Sequence, residues 1–145
     1  MPEDLPPTDR NPAELLADLM DQAMSNEWTT DRHALGFLRF DGDDVEIGHK
    51  TLPGHPSQWL PKLTCEPHWA AVCLSSLGHA TRYDIAGGPR QRVRITVAVA
   101  SGAHCGSGTD YGILRYPDGR TERLSGMQGP MGGMLHRWAA RTQAA

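Results

Sequence analysis

The clearest pattern in the chain is an alternation of apolar and polar residues between positions 92 and 99. One side is aliphatic and the other mostly polar: Val93, Ile95, Val97 and Val99 against Arg92, Arg94, Thr96 and Ala98. A period of two is typical of a strand with one face on the core and one toward water or a partner. We therefore predict a strand here, with its arginine side open.

Five further segments carry strand patterns bounded by glycine, proline and aspartate turns: 34–40, 45–52, 69–83, 111–116 and 120–124. The turns at 41–44 and 117–119 predict two hairpins. In the longest segment apolar residues occupy both sides, since Val72 and Leu74 alternate with Ala71 and Cys73. Tight turns between most neighbouring strands predict an antiparallel sheet.

Helical patterns occur at both ends of the chain. Asn11 and Pro12 suit the cap and first position of a helix over 12–25, with an apolar stripe and with Asp18 and Asp21 on the opposite side. A short helix over 56–63 is limited by Pro61. The last helix begins at Pro130.

The order of these elements favours an α+β fold. We predict a single, mostly antiparallel sheet of about five or six strands with the N- and C-terminal helices packed on one face. This is a two-layer arrangement, and by element order alone it is loosely GAF-, PAS- or profilin-like. Residues 1–10 are acidic and proline-rich and are expected to be disordered, and 11–145 form one domain.

Composition narrows the classes of protein. No stretch of the 145 residues approaches the 18 apolar residues of a membrane span. The acidic, proline-rich start does not resemble a signal peptide. Three cysteines, an odd number, argue against a disulfide framework, so we expect a soluble cytoplasmic protein.

The net charge of −3 is the sum of two segments of opposite charge. Residues 1–31 hold eight acids and one base, a charge of −7, whereas 32–145 hold nine acids and 13 bases, a charge of +4. One interpretation is a solvated acidic terminus. The other is an arm that covers a basic face and competes with an anionic partner.

The open strand face is the candidate binding surface, with Arg92, Arg94 and, across a neighbouring strand, Arg115. Charged open faces often carry contacts, and a protein partner or a small ligand is expected there. The pI near 6.1 and the lack of an aromatic RNA-binding motif argue against nucleic acid.

The cysteine and histidine residues suggest two alternative functional sites, a thiol nucleophile and a zinc site. Cys105, with His104 or another histidine as base, lies in a glycine- and serine-rich loop and could be a nucleophile. Cys65, His68, His104 and Cys105 offer two thiolates and two imidazoles for zinc, although their spacing matches the usual knuckles poorly. We expect no nucleotide-triphosphate hydrolysis, because the glycine-rich run 106–109 lacks a following lysine and precedes a strand rather than a helix. No cofactor is predicted.

Three runs, at 66–72, 78–80 and 92–94, are similar to segments of small uncharacterised proteins of high-GC actinobacteria. Such proteins carry a Pro-x-Trp-x-Ala entry to a strand and a later basic, valine-rich strand. The resemblance covers about residues 60–116. It implies a bacterial source and a cytoplasmic location, and it carries no site residue and no activity.

The sequence thus predicts a non-catalytic α+β domain that binds a protein partner or a small ligand. The alternative is a small cysteine- or metal-dependent enzyme that uses the Cys105/His104 loop. A third class, a homodimeric accessory protein, is left open. No triad, metalloprotease or nucleotide motif is assembled along the chain.

Overall fold

The computed structural model describes residues 11–26, 28, 33–66, 68–81, 90–102, 111–125 and 130–144. Its strands are β1 (His33–Asp41), β2 (Asp44–Leu52), β3 (Ala71–Thr81), β4 (Arg90–Ala100), β5 (Tyr111–Arg115) and β6 (Thr121–Ser125). They form one open sheet in the order β2-β1-β3-β4-β5-β6, and every neighbouring pair is antiparallel. The predicted α+β class and the six strands are confirmed.

Within the described ranges, three helices accompany the sheet: α1 (Pro12–Ala23), α2 (Pro56–Trp59) and α3 (Pro130–Ala144). The Asn11 side chain caps α1 as predicted, because its Oδ1 accepts the Ala13 N–H at 2.9 Å. The helix predicted over 56–63 is instead a single turn, α2, followed by a 3-10 turn at Leu60–Lys62. Pro61 lacks the N–H that a continuing α-helix needs.

Strand register sorts the buried side chains onto two faces of the sheet. We call one the arginine face, which carries Ala71, Cys73, Arg94, Thr96 and Ala98, and the other the aromatic face, which carries Leu35, Phe37, Val72, Leu74 and Val99. Both faces are buried in the two central strands, β3 and β4. Each face must therefore be covered by other elements.

Helix α1 covers the arginine face. Its buried side chains, among them Leu16 and Met20, form one cluster with Leu38, Cys73 and Ala98 of the sheet. Gly36 makes the close approach possible, because a Cβ there would overlap Met20 Cε. The first half of the predicted arrangement, a terminal helix on a sheet face, is confirmed.

The second half is wrong, since the two terminal helices lie on opposite faces. Leu135, Trp138 and Ala139 of α3 cluster with Leu35, Leu74 and other residues of the aromatic face, and Leu60 of the 3-10 turn joins them. The molecule therefore has three layers rather than two. The physical reason is that Val72 and Leu74 need cover as much as Ala71 and Cys73 do.

The polar side of β4 is buried as well, contrary to expectation. Arg94 and Thr96 have no exposed surface, and both hydrogen-bond to the Ser75 hydroxyl on β3, at 3.0 and 3.1 Å. Buried polar groups are tolerated when such partners satisfy them. The valine side is buried as predicted, with Val93, Val97 and Val99 at most 1% exposed.

The aspartates of α1 point to the sheet rather than to water. The Asp21 carboxylate accepts two bonds from Arg115, from Nε at 3.0 Å and from Nη2 at 2.8 Å. Asp18 pairs with Arg123 of β6. Within residues 12–23, the acidic segment thus covers basic residues, as the second interpretation of the charge division expects. Its other part, competition with an anionic partner, stays a prediction.

The rest of the domain prediction is open. Residues 1–10, predicted to be a disordered arm, lie outside the described residues. In the part of the chain that the structure describes, no helix combines the length and apolar character needed to cross a bilayer.

We expect Asp21→Asn to destabilise the chain by about 2 kcal/mol, because Asp21 and Arg115 are 6% and 19% exposed and the guanidinium loses a forked partner. Asp18→Asn is the matched control. Its partner Arg123 is 54% exposed, so the loss is expected to stay below about 1 kcal/mol. Urea unfolding of both variants measures the difference. Equal losses in the free energy of unfolding would show that the Asp21–Arg115 pair stabilises the chain no more than the exposed Asp18–Arg123 pair does.

Candidate functional site

The arginine face is closed where the sequence predicted an open binding surface. Arg94 is buried beneath α1, and Arg115 is held by Asp21. Of the three predicted binding residues, only Arg92 is exposed. The expected exposure of Arg94 is therefore wrong, because this face of the sheet is covered by α1. A binding role for Arg92 and Arg115 stays a prediction.

The cations beside α1 are fixed as charged partners of the helix. The hydrogen bonds that Arg115 donates to the Asp21 carboxylate raise the pKa of Arg115 above its ordinary value. The pKa of Arg123 is raised by Tyr111 and then by Asp18. Arg115 is thus engaged with α1 through two bonds to one carboxylate, whereas Arg123, which also pairs with α1, keeps 54% of its side chain exposed.

The predicted cysteine and histidine sites are not assembled by the described residues. Cys65 is buried in the cluster beneath α3, whereas His68 is exposed. His104 and Cys105 lie outside the described residues. Within the described ranges, no group of three or more histidine, cysteine or acidic side chains could hold a metal ion.

A cleft of about 330 Å³ opens on the aromatic face. It lies between strands β1 and β2 on one side and the segment that follows the 3-10 turn on the other. Its lining consists of Leu35, Phe37, His49, Lys50, Leu63, Thr64, Glu66 and Trp69. Apolar and aromatic side chains with a few polar groups are the composition typical of small-ligand pockets.

The aromatic wall of the cleft is built from two stacked rings. Phe37 of β1 and Trp69, just before β3, lie nearly parallel, with centroids 4.5 Å apart and an interplanar angle of 11°. Trp138 of α3 lies behind Trp69, at 6.5 Å between centroids. The Phe37 ring occupies the space above Gly48, because a Cβ on that glycine would overlap the ring.

The opposite wall is anchored to helix α3. The Trp138 indole N–H donates to the Leu63 carbonyl oxygen at 3.1 Å. Leu60, just before this segment, has no exposed surface. Because both walls are tied to buried residues, the cleft is formed by the fold itself rather than by loose side chains.

The lining of the cleft also includes polar and charged side chains. Lys50 pairs directly with Leu35 across strands β1 and β2, so it lies on the aromatic face beside the apolar lining. Thr64 and Glu66 line the cleft from the other wall. Lys50 and Thr64 are exposed and Glu66 is half-buried. The arrangement can hold an apolar body while leaving polar ends near water.

A second, smaller depression of about 190 Å³ lies between α2, the 3-10 turn and α3, with Ser57, Pro61 and Arg137 in its lining. It lacks the stacked pair of rings. The larger cleft is therefore the better candidate for a site.

The sequence did not predict the cleft, because no local pattern distinguishes Phe37 or Trp69 from ordinary apolar residues of a strand. Gly48, directly across from Phe37, is the one local signal for it. A glycine within a strand often marks a place where another group approaches the backbone closely. The pairing that reveals this meaning depends on strand register, which the sequence alone leaves open.

Comparison of the chain with protein-family models, with curated proteins and with solved structures finds no match in any of the three. The resemblance to actinobacterial proteins therefore stays a prediction.

We expect Gly48→Ala to displace the Phe37 ring and to destabilise the chain by about 1–3 kcal/mol, the usual effect of overpacking. The near-ultraviolet circular dichroism of the Phe37–Trp69 pair should change with it. The double variant Gly48→Ala/Phe37→Leu should recover much of the stability, because the smaller side chain removes the overlap. Unchanged spectra and stability in Gly48→Ala alone would contradict the described packing.

We expect Cys73 to resist iodoacetamide at pH 8 in the folded chain. Burial raises the pKa of its thiol to about 12, and the thiolate is the reactive form. Peptide mass mapping should find Cys73 alkylated only after urea is added. Native alkylation of Cys73 would contradict its burial, and alkylation of Cys105 well below pH 8 would favour the cysteine-enzyme alternative.

Proposed function

We propose that this chain is a non-catalytic binding domain that holds a small organic ligand in the cleft of the aromatic face. One observation carries the proposal: a preformed cleft of about 330 Å³ combines a stacked aromatic wall with a few polar groups. This volume falls within the range of small-molecule pockets, roughly 300–1,000 Å³.

The surface favours a small ligand over a protein partner. Among the described residues, only Ile47 is a large hydrophobic side chain with substantial exposure, at 40%. A single exposed aliphatic residue is ordinary on a protein surface and does not mark a site for a protein partner. The apolar area offered to a partner lies inside the cleft, where a small molecule can reach it.

A cytoplasmic, bacterial location is kept as part of this proposal. Cys73 is a buried free thiol, and this supports a reducing compartment.

The neutral aromatic probe 2-naphthol tests the proposal, with binding detected by saturation-transfer NMR. Thr64→Trp should fill the mouth of the cleft and reduce probe binding at least about tenfold, because the new ring occupies the ligand's space. Thr64 is exposed, so folding should be unaffected.

Ser57→Trp is the matched control, since Ser57 is also exposed and lines the smaller depression. This variant should bind 2-naphthol like the parent chain. Binding that survives Thr64→Trp, or that is lost in Ser57→Trp instead, would place the ligand elsewhere.

A further inference from the structure

We infer that the ligand is a planar aromatic acid, with its ring against Phe37 and Trp69 and its anionic group beside Lys50. This inference rests on the proposed function and specifies the chemistry of the same site. It follows from the shape of the aromatic wall and from the placement of the charges that line the cleft.

The aromatic wall of Phe37 and Trp69 favours a planar ligand. The two stacked rings cover each other's inner faces, Phe37 also packs over Gly48, and Trp138 lies beside Trp69, so the wall offers ring edges against which the face of a planar ligand can pack. Aromatic pairs in offset or edge-to-face contact gain about 0.5–1.5 kcal/mol beyond the burial of their area. A branched aliphatic ligand obtains only the burial term, so the site favours an aromatic ring.

Lys50 supplies a cation at one end of the aromatic wall. It shares the aromatic face with Leu35 and Phe37, its direct and diagonal neighbours across the β1–β2 pair. The chain has only one other lysine, Lys62, which lies in the 3-10 turn and is not part of the lining. A carboxylate beside Lys50 would be partly shielded from water by the apolar wall, and this strengthens the ion pair.

Glu66 sets the orientation of the ligand. It lines the wall opposite β2, and its carboxylate repels an anion. The acid group of the ligand therefore belongs at the β2 end, and the Glu66 end suits a hydroxyl or N–H that donates a hydrogen bond.

Bulk electrostatics would give the opposite preference. The chain carries a net charge of −3, so non-specific attraction favours cations. A preference for an anionic probe over a matched cation must therefore come from local groups, and Lys50 is the lysine placed to provide it.

The test compares three probes that share one ring system: 2-naphthoate, 2-naphthol and 2-naphthylmethylammonium. Isothermal titration calorimetry of the full chain should rank the affinities in that order. Lys50→Gln should weaken 2-naphthoate about three- to fivefold, the effect of a partly exposed ion pair, and leave 2-naphthol unchanged. Glu66→Gln should strengthen 2-naphthoate about twofold, because a repulsion is removed.

Lys62→Gln is the matched control and should not alter any of the three affinities. Tighter binding of the ammonium probe, or equal effects of Lys50→Gln and Lys62→Gln, would overturn the inferred acid while leaving the cleft as a binding site. If none of the three probes binds, or if binding persists in Thr64→Trp, the proposed function itself fails. The two failures are thus distinguishable.

Discussion

Burial of both faces of strands β3 and β4 requires a cover on each side of the sheet. On the arginine face, α1 supplies Leu16 and Met20 to the core and Asp21 to the buried end of Arg115. On the aromatic face, α3 and the 3-10 turn supply Leu135 and Leu60. The two covers differ in chemistry. The packing of α1 includes ion pairs, whereas the packing of α3 and the 3-10 turn is apolar and aromatic. The face rich in cations is therefore closed, and the apolar face is left to form a site.

The cleft exists because the cover of the aromatic face stops short of the sheet edge. Helix α3 packs on β3 and β4, whereas α1 reaches from β1 to β5 on the other side. Strands β1 and β2 extend past α3, and the segment after the 3-10 turn bridges only part of the gap. Phe37, stacked on Trp69, forms one wall of this space, and Lys50 stands at its rim. The candidate site is thus a consequence of where the helices end.

Local sequence patterns were sufficient to predict the strands and helices. They were not sufficient to predict which face of the sheet each helix covers. The alternation at 92–99 and the turns at 41–44 and 117–119 correctly indicated strands and hairpins, because these depend on neighbours in sequence. The burial of Arg94 could not be predicted from such local patterns. Its position on a polar side predicted exposure, but Ser75 and α1, distant in sequence, bury it. The apolar residues on both sides of β3 were the available signal that two covers are needed.

The most direct test of this account is a ¹H–¹⁵N NMR titration of the labelled chain with 2-naphthoate. The account requires amide shifts to concentrate at Leu35, Phe37, Lys50 and Trp69, with the amides of Arg94 and Arg115 unmoved, because α1 keeps the arginine face closed. Shifts centred on Arg92, Arg94 and Arg115 would contradict it, since they would show that an anion reaches the face that α1 covers.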